Sequence, residues 1–231
     1  MIRVQTAPDP QALATMAADE VAARAEEAIG DRGRFTLAVS GSSTPRWMFA
    51  ALAERPLPWG DVHLFQVDER VAPEGDPDRN FTDLSGLLVK RVPIPKENVH
   101  PMPVTVSDLE VGARAYEAEL GEVTGDGVLD LVHLGVGDDG HTVSWPPGDP
   151  VVEAKGEGAP DVAVVGPFSG WRRMTLTPRA VNRGRTVLWL VQGESKAPVV
   201  GRLLAGDPAI PASRVQTDRA VLLATADAVP H

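Results

Sequence analysis

A chain of 231 residues, 43% hydrophobic and 23% charged, has the length for one α/β domain with a sizeable core and the make-up of an ordinary soluble globular protein. Its formal net charge of −10 argues against a nucleic-acid partner, which would want a basic face, and the absence of Cys excludes disulfides, thiolate chemistry and Cys-built zinc sites. No apolar run reaches the length of a membrane span, and the opening MIRVQTAPDP lacks the apolar core of a signal peptide, so no membrane partner and a cytoplasmic location are expected.

Residues 2–6 predict a short strand. Residues 8–30 predict an Ala-rich helix in which Leu13, Met16, Ala17, Val21, Ala25, Ala28 and Ile29 recur at roughly helical spacing, with Asp9 placed to cap it and Gly30 to stop it. Phe35–Val39 reads as a buried strand and runs straight into Ser40, Gly41, Ser42, Ser43, Thr44 and Pro45. Thr44 is expected to cap a helix that begins at Pro45 and continues through Trp47, Met48, Ala51 and Leu52. A strand, a small hydroxyl-rich turn and a helix N-terminus gather free N–H groups and the positive end of a dipole on one spot, which favours phosphate. Capping accounts for Thr44 but not for the whole run before it. No Gly-Lys-Ser/Thr closes the run, so it is not a Walker loop.

Residues 62–67 predict another apolar strand, containing His63 and delivering Asp68, Glu69 and Arg70 at its carboxyl end. The plain reading of three charges there is a solvated loop; the functional one is that Arg70 meets a phosphate or carbonyl oxygen with a bidentate guanidinium. Residues 71–81, VAPEGDPDRNF, are too rich in Pro, Gly and Asp for a regular element and suit a loop lying over a pocket. Residues 82–89 predict a helix, and 90–106, broken by Pro93, Pro95, Pro101 and Pro103, a connection. Ser107, with Glu110 three residues on, opens a helix to about Leu120 whose Tyr116 faces the core.

The most telling stretch is LVHLGVGDDGHTVSWPPG at 131–148. An apolar run, broken by His133, turns abruptly into Gly137, Asp138, Asp139, Gly140, His141 and Thr142, as a buried strand does when it empties into a tight polar loop. Ligands of open α/β sheets bind outside the carboxyl ends of strands, and Gly lets backbone approach a ligand closely. His141 is therefore a candidate acid–base group, against the plain alternative of a surface turn. Residues 149–160 are expected to be exposed. Strands are expected at 162–165, 172–177, 186–191 and 219–225, a helical turn at 178–182, and a helix over about 194–204. Lys196 falls in that helix's first turn, where a cation opposes the dipole by roughly 0.3–1 kcal/mol. Either a nearby anion or the neighbouring Glu194 answers it. Strands alternating with helices give an α/β class with a mainly parallel sheet flanked by helices, expected as one domain over 1–231.

Five stretches, in this order, resemble the 6-phosphogluconolactonase family: Ser40-Gly41-Ser42-Ser43-Thr44-Pro45, Asp68-Glu69-Arg70 with Asn80 beyond it, residues 135–144, Arg173-Met174-Thr175-Leu176-Thr177, and Gly193-Glu194-Ser195-Lys196-Ala197. Each is weak alone; together they span nearly the whole chain. Three departures stand out. Ser42 replaces a usual Gly and makes the anion loop less permissive, Asp138 replaces a common Pro and adds a carboxylate beside the site, and Trp145-Pro146 replaces Leu-Phe in what would be the pocket wall.

The resemblance implies a Rossmann-like sheet-and-helix fold shared with glucosamine-6-phosphate deaminases and ribose-5-phosphate isomerases. It implies hydrolysis of 6-phospho-D-glucono-1,5-lactone in the pentose phosphate pathway, with no cofactor and no metal, so the expected partner is a small phosphorylated sugar lactone. His141 would be the general base, which suits an imidazole of ordinary pKa about 6.5. Asp139 would orient His141 or tie down its loop, and Arg70 would meet the phosphate or the developing oxyanion. Ser40, Gly41, Ser42, Ser43, Thr44 and Lys196 would hold the phosphate, helped by Arg173. These groups would then have to meet at one sheet edge. His63 and His133, inside apolar strands, read as satisfied core histidines, while His100 and His231 lack a motif.

Two rivals share the fold. A deaminase-like isomerase would carry Tyr in place of Arg70 and an acidic residue soon after His141, and residues 142–148 contain no carboxylate. A non-catalytic sugar-phosphate sensor would carry an added DNA-binding helix pair, for which this sequence offers no segment.

Overall fold

The computed structural model describes residues 1–154, 156 and 158–230; Lys155, Glu157 and His231 lie outside the described residues. In chain order the strands are β1 (Arg3–Ala7), β2 (Phe35–Val39), β3 (Val62–Gln66), β4 (Asp68–Arg70), β5 (Val99–His100), β6 (Leu131–Leu134), β7 (Val162–Phe168), β8 (Trp171–Leu176), β9 (Thr186–Val191) and β10 (Ala220–Thr225). The helices are α1 (Pro10–Arg32), α2 (Ser43–Leu52), α3 (Asn80–Leu87), α4 (Leu109–Thr124), α5 (Pro178–Arg183) and α6 (Ala197–Leu204). Seven strands make a wholly parallel sheet in the order β1-β10-β9-β6-β2-β3-β5, as the α/β pattern requires. No described helix is long and apolar enough to cross a membrane.

Alternate residues of each strand serve opposite faces. Phe35, Leu37 and Val39 join Leu13 and Val21 of α1, Phe49 of α2 and Leu84 of α3 on one side. Ala38, Val132 and Trp189 join Tyr116 and Leu120 of α4, Val181 of α5 and Val200 of α6 on the other. Burial on both faces explains why these strands read as continuous apolar runs instead of alternating ones.

The second face also carries an element the sequence pattern did not show, an antiparallel sheet in the order β4-β8-β7. Asp68, Glu69 and Arg70 are its first strand, not a solvated loop, and Asp68 and Glu69 are buried. Leu176 of β8 donates its N–H to the Val67 carbonyl at 2.7 Å, which ties this sheet to the end of β3.

Other boundaries differ for identifiable reasons. Asp9 caps α1 as expected, accepting the N–H of Ala12 at 2.8 Å. Gly30, however, lies inside the helix, which ends at Gly33, where a φ of 73° returns the N–H to the Ile29 carbonyl. Asp108, not Ser107, caps α4, its carboxylate accepting the N–H groups of Glu110 and Val111. The segment 149–160 is not uniformly exposed, because a 3₁₀ turn at Pro150–Glu153 buries Val151 and Val152. His63 is half-buried and not a core residue. His100, on edge strand β5, is the buried one; it stacks on Phe65 and stands between His63 at 3.1 Å and Glu119 at 2.7 Å. Trp145 is buried with its Nε1–H donated to the Leu176 carbonyl, so it is core and not pocket wall.

From β2 the chain winds outward to β3 and β5; it then returns to the other side of β2 for β6 and winds outward again to β9 and β10. The order therefore reverses between β2 and β6, and the crevice outside their carboxyl ends is where such a sheet accommodates a ligand.

Candidate active site

Three loops leave the parallel sheet at this crevice: one after β2, one after β6 and one after β9. A cavity of about 200 Å³ lies among them, lined by Ser40, Gly41, Ser42, Ser43 and Thr44, by Gly135, Val136 and Gly137, by residues 190–192, and by Lys196. The expected phosphate loop and Lys196 thus meet.

The helix start in the cavity wall differs from expectation. α2 begins at Ser43, so Thr44 and Pro45 are already inside it, and Ser42 holds the capping position without a side-chain bond to the first turn. Among the described residues no side chain accepts from the N–H groups there, which leaves them to the cavity. Ser42 has a φ of 151°, a conformation that favours glycine and costs another residue of order 1–3 kcal/mol. Gly41 is needed for a different reason: a Cβ there would collide with the Asn80 side chain. Beneath the loop, His133 of β6 accepts the Ser40 N–H on Nδ1 at 3.2 Å. Burial depresses the His133 imidazole to about 3, so it is a neutral acceptor. Among the described residues its Nε2 has no partner, so it is only half the satisfied core histidine expected.

His141 stands beside the cavity wall. Its backbone carbonyl accepts the Gly137 N–H at 2.8 Å, and its ring lies so close that a Cβ on Gly137 would strike it. One carboxylate oxygen of Asp139 accepts the His141 N–H at 3.0 Å and lies 2.6 Å from His141 Nδ1. Burial pushes the Asp139 carboxyl up, but the hydrogen bonds from His141 outweigh it and hold the group below its usual value. An ionised carboxylate can only accept, so Nδ1 donates to it, and in the neutral form of the ring the lone pair falls on Nε2. Asp139 therefore serves both ring and loop. The other side of the His141 ring meets Phe168 of β7 edge-on, with centroids 5.1 Å apart, and the Arg173 guanidinium lies 5.0 Å from the centroid of the same Phe168 ring.

Lys196 ends a 3₁₀ turn at Glu194–Lys196, just before α6. Its ammonium donates to the Val136 carbonyl at 3.1 Å, and its carboxylate partner is Asp138, at 2.7 Å, rather than Glu194.

Arg70 does not line the cavity. It pairs in register with Arg173 across β4 and β8, and its Nη1 donates to the Asp78 carbonyl at 2.6 Å. Both arginines lie near the buried Asp68, which accepts the Ser144 hydroxyl at 2.7 Å and has Arg173 Nη1 at 3.9 Å. Burial raises the Asp68 carboxyl, against the Ser144 hydrogen bond and the positive fields of Arg173 and Arg70. The edge-on contact between His141 and Phe168 of β7 makes the small sheet the second wall beside the histidine.

Sequence reasoning missed the organiser of that wall. Glu69 is completely buried and accepts four hydrogen bonds: from the Gln66 side chain and from the backbone N–H groups of Arg70, Asn80 and Phe81, at 2.7–2.8 Å. It fastens the far end of the 71–81 loop to β4. Asn80 then reaches from α3 to the Asp68 carbonyl at 3.0 Å while its side chain abuts Gly41. The available signal was a carboxylate directly after an apolar strand, followed eleven residues later by Asn.

The family model described as glucosamine-6-phosphate isomerases/6-phosphogluconolactonase matches residues 8–223. A 6-phosphogluconolactonase of a Synechocystis species is 38% identical over 190 residues, 80% of this chain and 78% of that protein. The solved 6-phosphogluconolactonase from Thermotoga maritima superposes with a TM-score of 0.86 at 26% identity, covering 97% of this chain and 99% of the other. A monomeric glucosamine-6-phosphate deaminase reaches a TM-score of 0.82 at 20% identity over 98% of each chain, which shows a shared fold.

Proposed function

The chain belongs to the family of glucosamine-6-phosphate isomerases and 6-phosphogluconolactonases, and from that premise we propose that it is a 6-phosphogluconolactonase, an enzyme that hydrolyses 6-phospho-D-glucono-1,5-lactone to 6-phospho-D-gluconate in the pentose phosphate pathway. The observation that carries the assignment of roles is the adjacency of a carboxylate-paired histidine to a cavity built from an uncapped helix start and a lysine.

In this reading the substrate's phosphate sits against the N–H groups of Ser40 to Thr44 and the Lys196 ammonium, and the lactone ring extends toward His141. Nε2 of His141 takes a proton from water as the water oxygen attacks the lactone carbonyl carbon. The Asp139 carboxylate, bonded to Nδ1–H, holds the ring and stabilises the imidazolium that forms. Arg70 and Arg173 line the side toward which the carbonyl oxygen develops negative charge. When the tetrahedral intermediate collapses, the bond from the carbonyl carbon to the ring oxygen breaks, and the imidazolium returns its proton to that oxygen. The sum is one water consumed and one acid released. We place the activity in the cytoplasm.

The deaminase-like alternative is disfavoured by Arg70 and by the absence of a carboxylate at 142–148. The test is lactone hydrolysis measured above the spontaneous background, with phosphorylated substrate strongly preferred over unphosphorylated gluconolactone. Release of ammonia and fructose 6-phosphate from glucosamine 6-phosphate, without lactone hydrolysis, would overturn the assignment.

A further inference from the structure

The cation proposed for the substrate's phosphate is already held by a carboxylate of the same chain. Lys196 Nζ lies 2.7 Å from Asp138 Oδ1 and 3.1 Å from the Val136 carbonyl oxygen. The two contacts differ in kind. Val136 belongs to the cavity wall, and its carbonyl fixes where the ammonium sits. The Asp138 side chain is 76% exposed, against 26% for Lys196, and among the described residues its carboxylate has no other partner. It therefore neither supports the loop nor fills the core. Its one physical consequence is to neutralise the ammonium that faces Ser40 to Thr44.

A phosphate monoester, carrying close to two negative charges and three acceptor oxygens, competes with Asp138 for this ammonium. We propose that Asp138 is a specificity-determining residue: an internal competitor that a ligand must displace from Lys196. The inference rests on reading Lys196 as the phosphate ligand. A dianion that also reaches the N–H groups of α2 gains from the exchange, whereas a ligand with one negative charge merely replaces one carboxylate with another. Asp138 thus biases the phosphate end of the site against singly charged sugar acids. It also weakens the hold on the phosphorylated product as much as on the substrate, since both present the same phosphate.

The test compares wild type, Asp138→Asn, Lys196→Ala and the double variant on three readouts. These are KM for the phosphorylated lactone, the inhibition constant of 6-phosphogluconate, and kcat/KM for unphosphorylated gluconolactone. An exposed ion pair contributes about 0.2–1 kcal/mol, so Asp138→Asn should lower KM and the product inhibition constant together by up to about fivefold. Gluconolactone uses the same His141 but no phosphate contact, and its kcat/KM should not follow. A change in histidine basicity would instead move both lactones together and would overturn the proposal. So would an unchanged or raised KM in Asp138→Asn, which would make Asp138 a holder of Lys196 and not its competitor. In the Lys196→Ala background the gain should largely vanish; a gain that persists in full would mean simple charge repulsion and refute competition for the lysine. If Lys196→Ala itself leaves KM for the phosphorylated lactone unchanged, the phosphate-site reading fails first, and that result is distinct from a failure of Asp138 alone.

Discussion

The two sheets contribute to the crevice by different physical means. The parallel sheet keeps its strands mostly apolar and puts its site groups in the loops beyond them: backbone N–H groups at the start of α2, the close-packed Gly137, and one lysine. The small antiparallel sheet puts charge inside its strands. Asp68, Glu69, Arg70 and Arg173 are strand residues, three of them buried, and buried charges persist only when paired and hydrogen-bonded. Loop donors on the first side can be removed one at a time. On the second side, removing one partner leaves others uncompensated, so a change there reaches both binding and rate.

His141 lies where the two constructions meet, against Gly137 on one side and Phe168 on the other. Its replacement is the largest expected effect. His141→Ala should remain folded, because the side chain is only partly buried, and should lose about 10²–10⁴ in kcat once spontaneous lactone hydrolysis is subtracted. Turnover near wild type in a folded His141→Ala protein would remove the base from the mechanism.

The next prediction sets one cation from each side against the other. Lys196→Ala removes a charged hydrogen bond of about 1.5–3 kcal/mol, so KM for the phosphorylated lactone should rise roughly ten- to hundredfold while unphosphorylated gluconolactone is nearly indifferent. Arg70→Ala should weaken binding at least as much and, if the proposed roles hold, should lower kcat on both lactones, because Arg70 pairs with Arg173 in the small sheet and does not line the cavity of Lys196. Equal losses on both lactones for Lys196→Ala, or a pure KM effect for Arg70→Ala, would erase the distinction between the two walls.

The same difference decided what the sequence disclosed. β2 and β9 match their expected bounds to the residue because each is a short, mostly apolar run with polar residues after it. The loops after β2, β6 and β9 were legible as a site because their Gly, Ser, His and Lys residues have no packing reason to follow apolar strands. β4 was not legible. A three-residue strand of Asp, Glu and Arg carries no hydrophobic period, and its burial depends on partners at 79–81, 144 and 173–175 that only the fold brings near. Gly30 was misread as a stop because a helix tolerates an interior glycine at a cost of about 1 kcal/mol, which α1 offsets with a long buried face. The cap of α2 lies two residues before the expected Thr44, at Ser42, whose φ of 151° departs from ordinary capping geometry and whose side chain makes no bond to the first turn.

A stability effect, not a catalytic one, attaches to His133, a titratable side chain that the parallel sheet buries beneath the site. His133 has an ordinary value of 6.5 when unfolded and about 3 when folded, because burial penalises its charged form. Below pH 6.5 the unfolded chain binds a proton that the folded protein refuses, so this residue's contribution to stability is level above that pH and declines as pH falls toward 3. The slope approaches about 1.4 kcal/mol per pH unit for one proton. Asp68, whose carboxyl is raised, acts with the opposite sign, since folding favours its protonated form and its penalty is relieved as pH falls through its folded value. Subtracting a variant isolates His133. His133→Asn retains an acceptor for the Ser40 N–H, so urea unfolding of wild type and variant should differ by a constant above pH 7 and change relative to one another between pH 6 and 4, wild type losing more. Parallel stability curves over that range would mean that His133 accepts a proton in the folded protein. The Ser40 loop would then rest on a charged histidine, and the parallel sheet would share the buried-charge construction of its small neighbour.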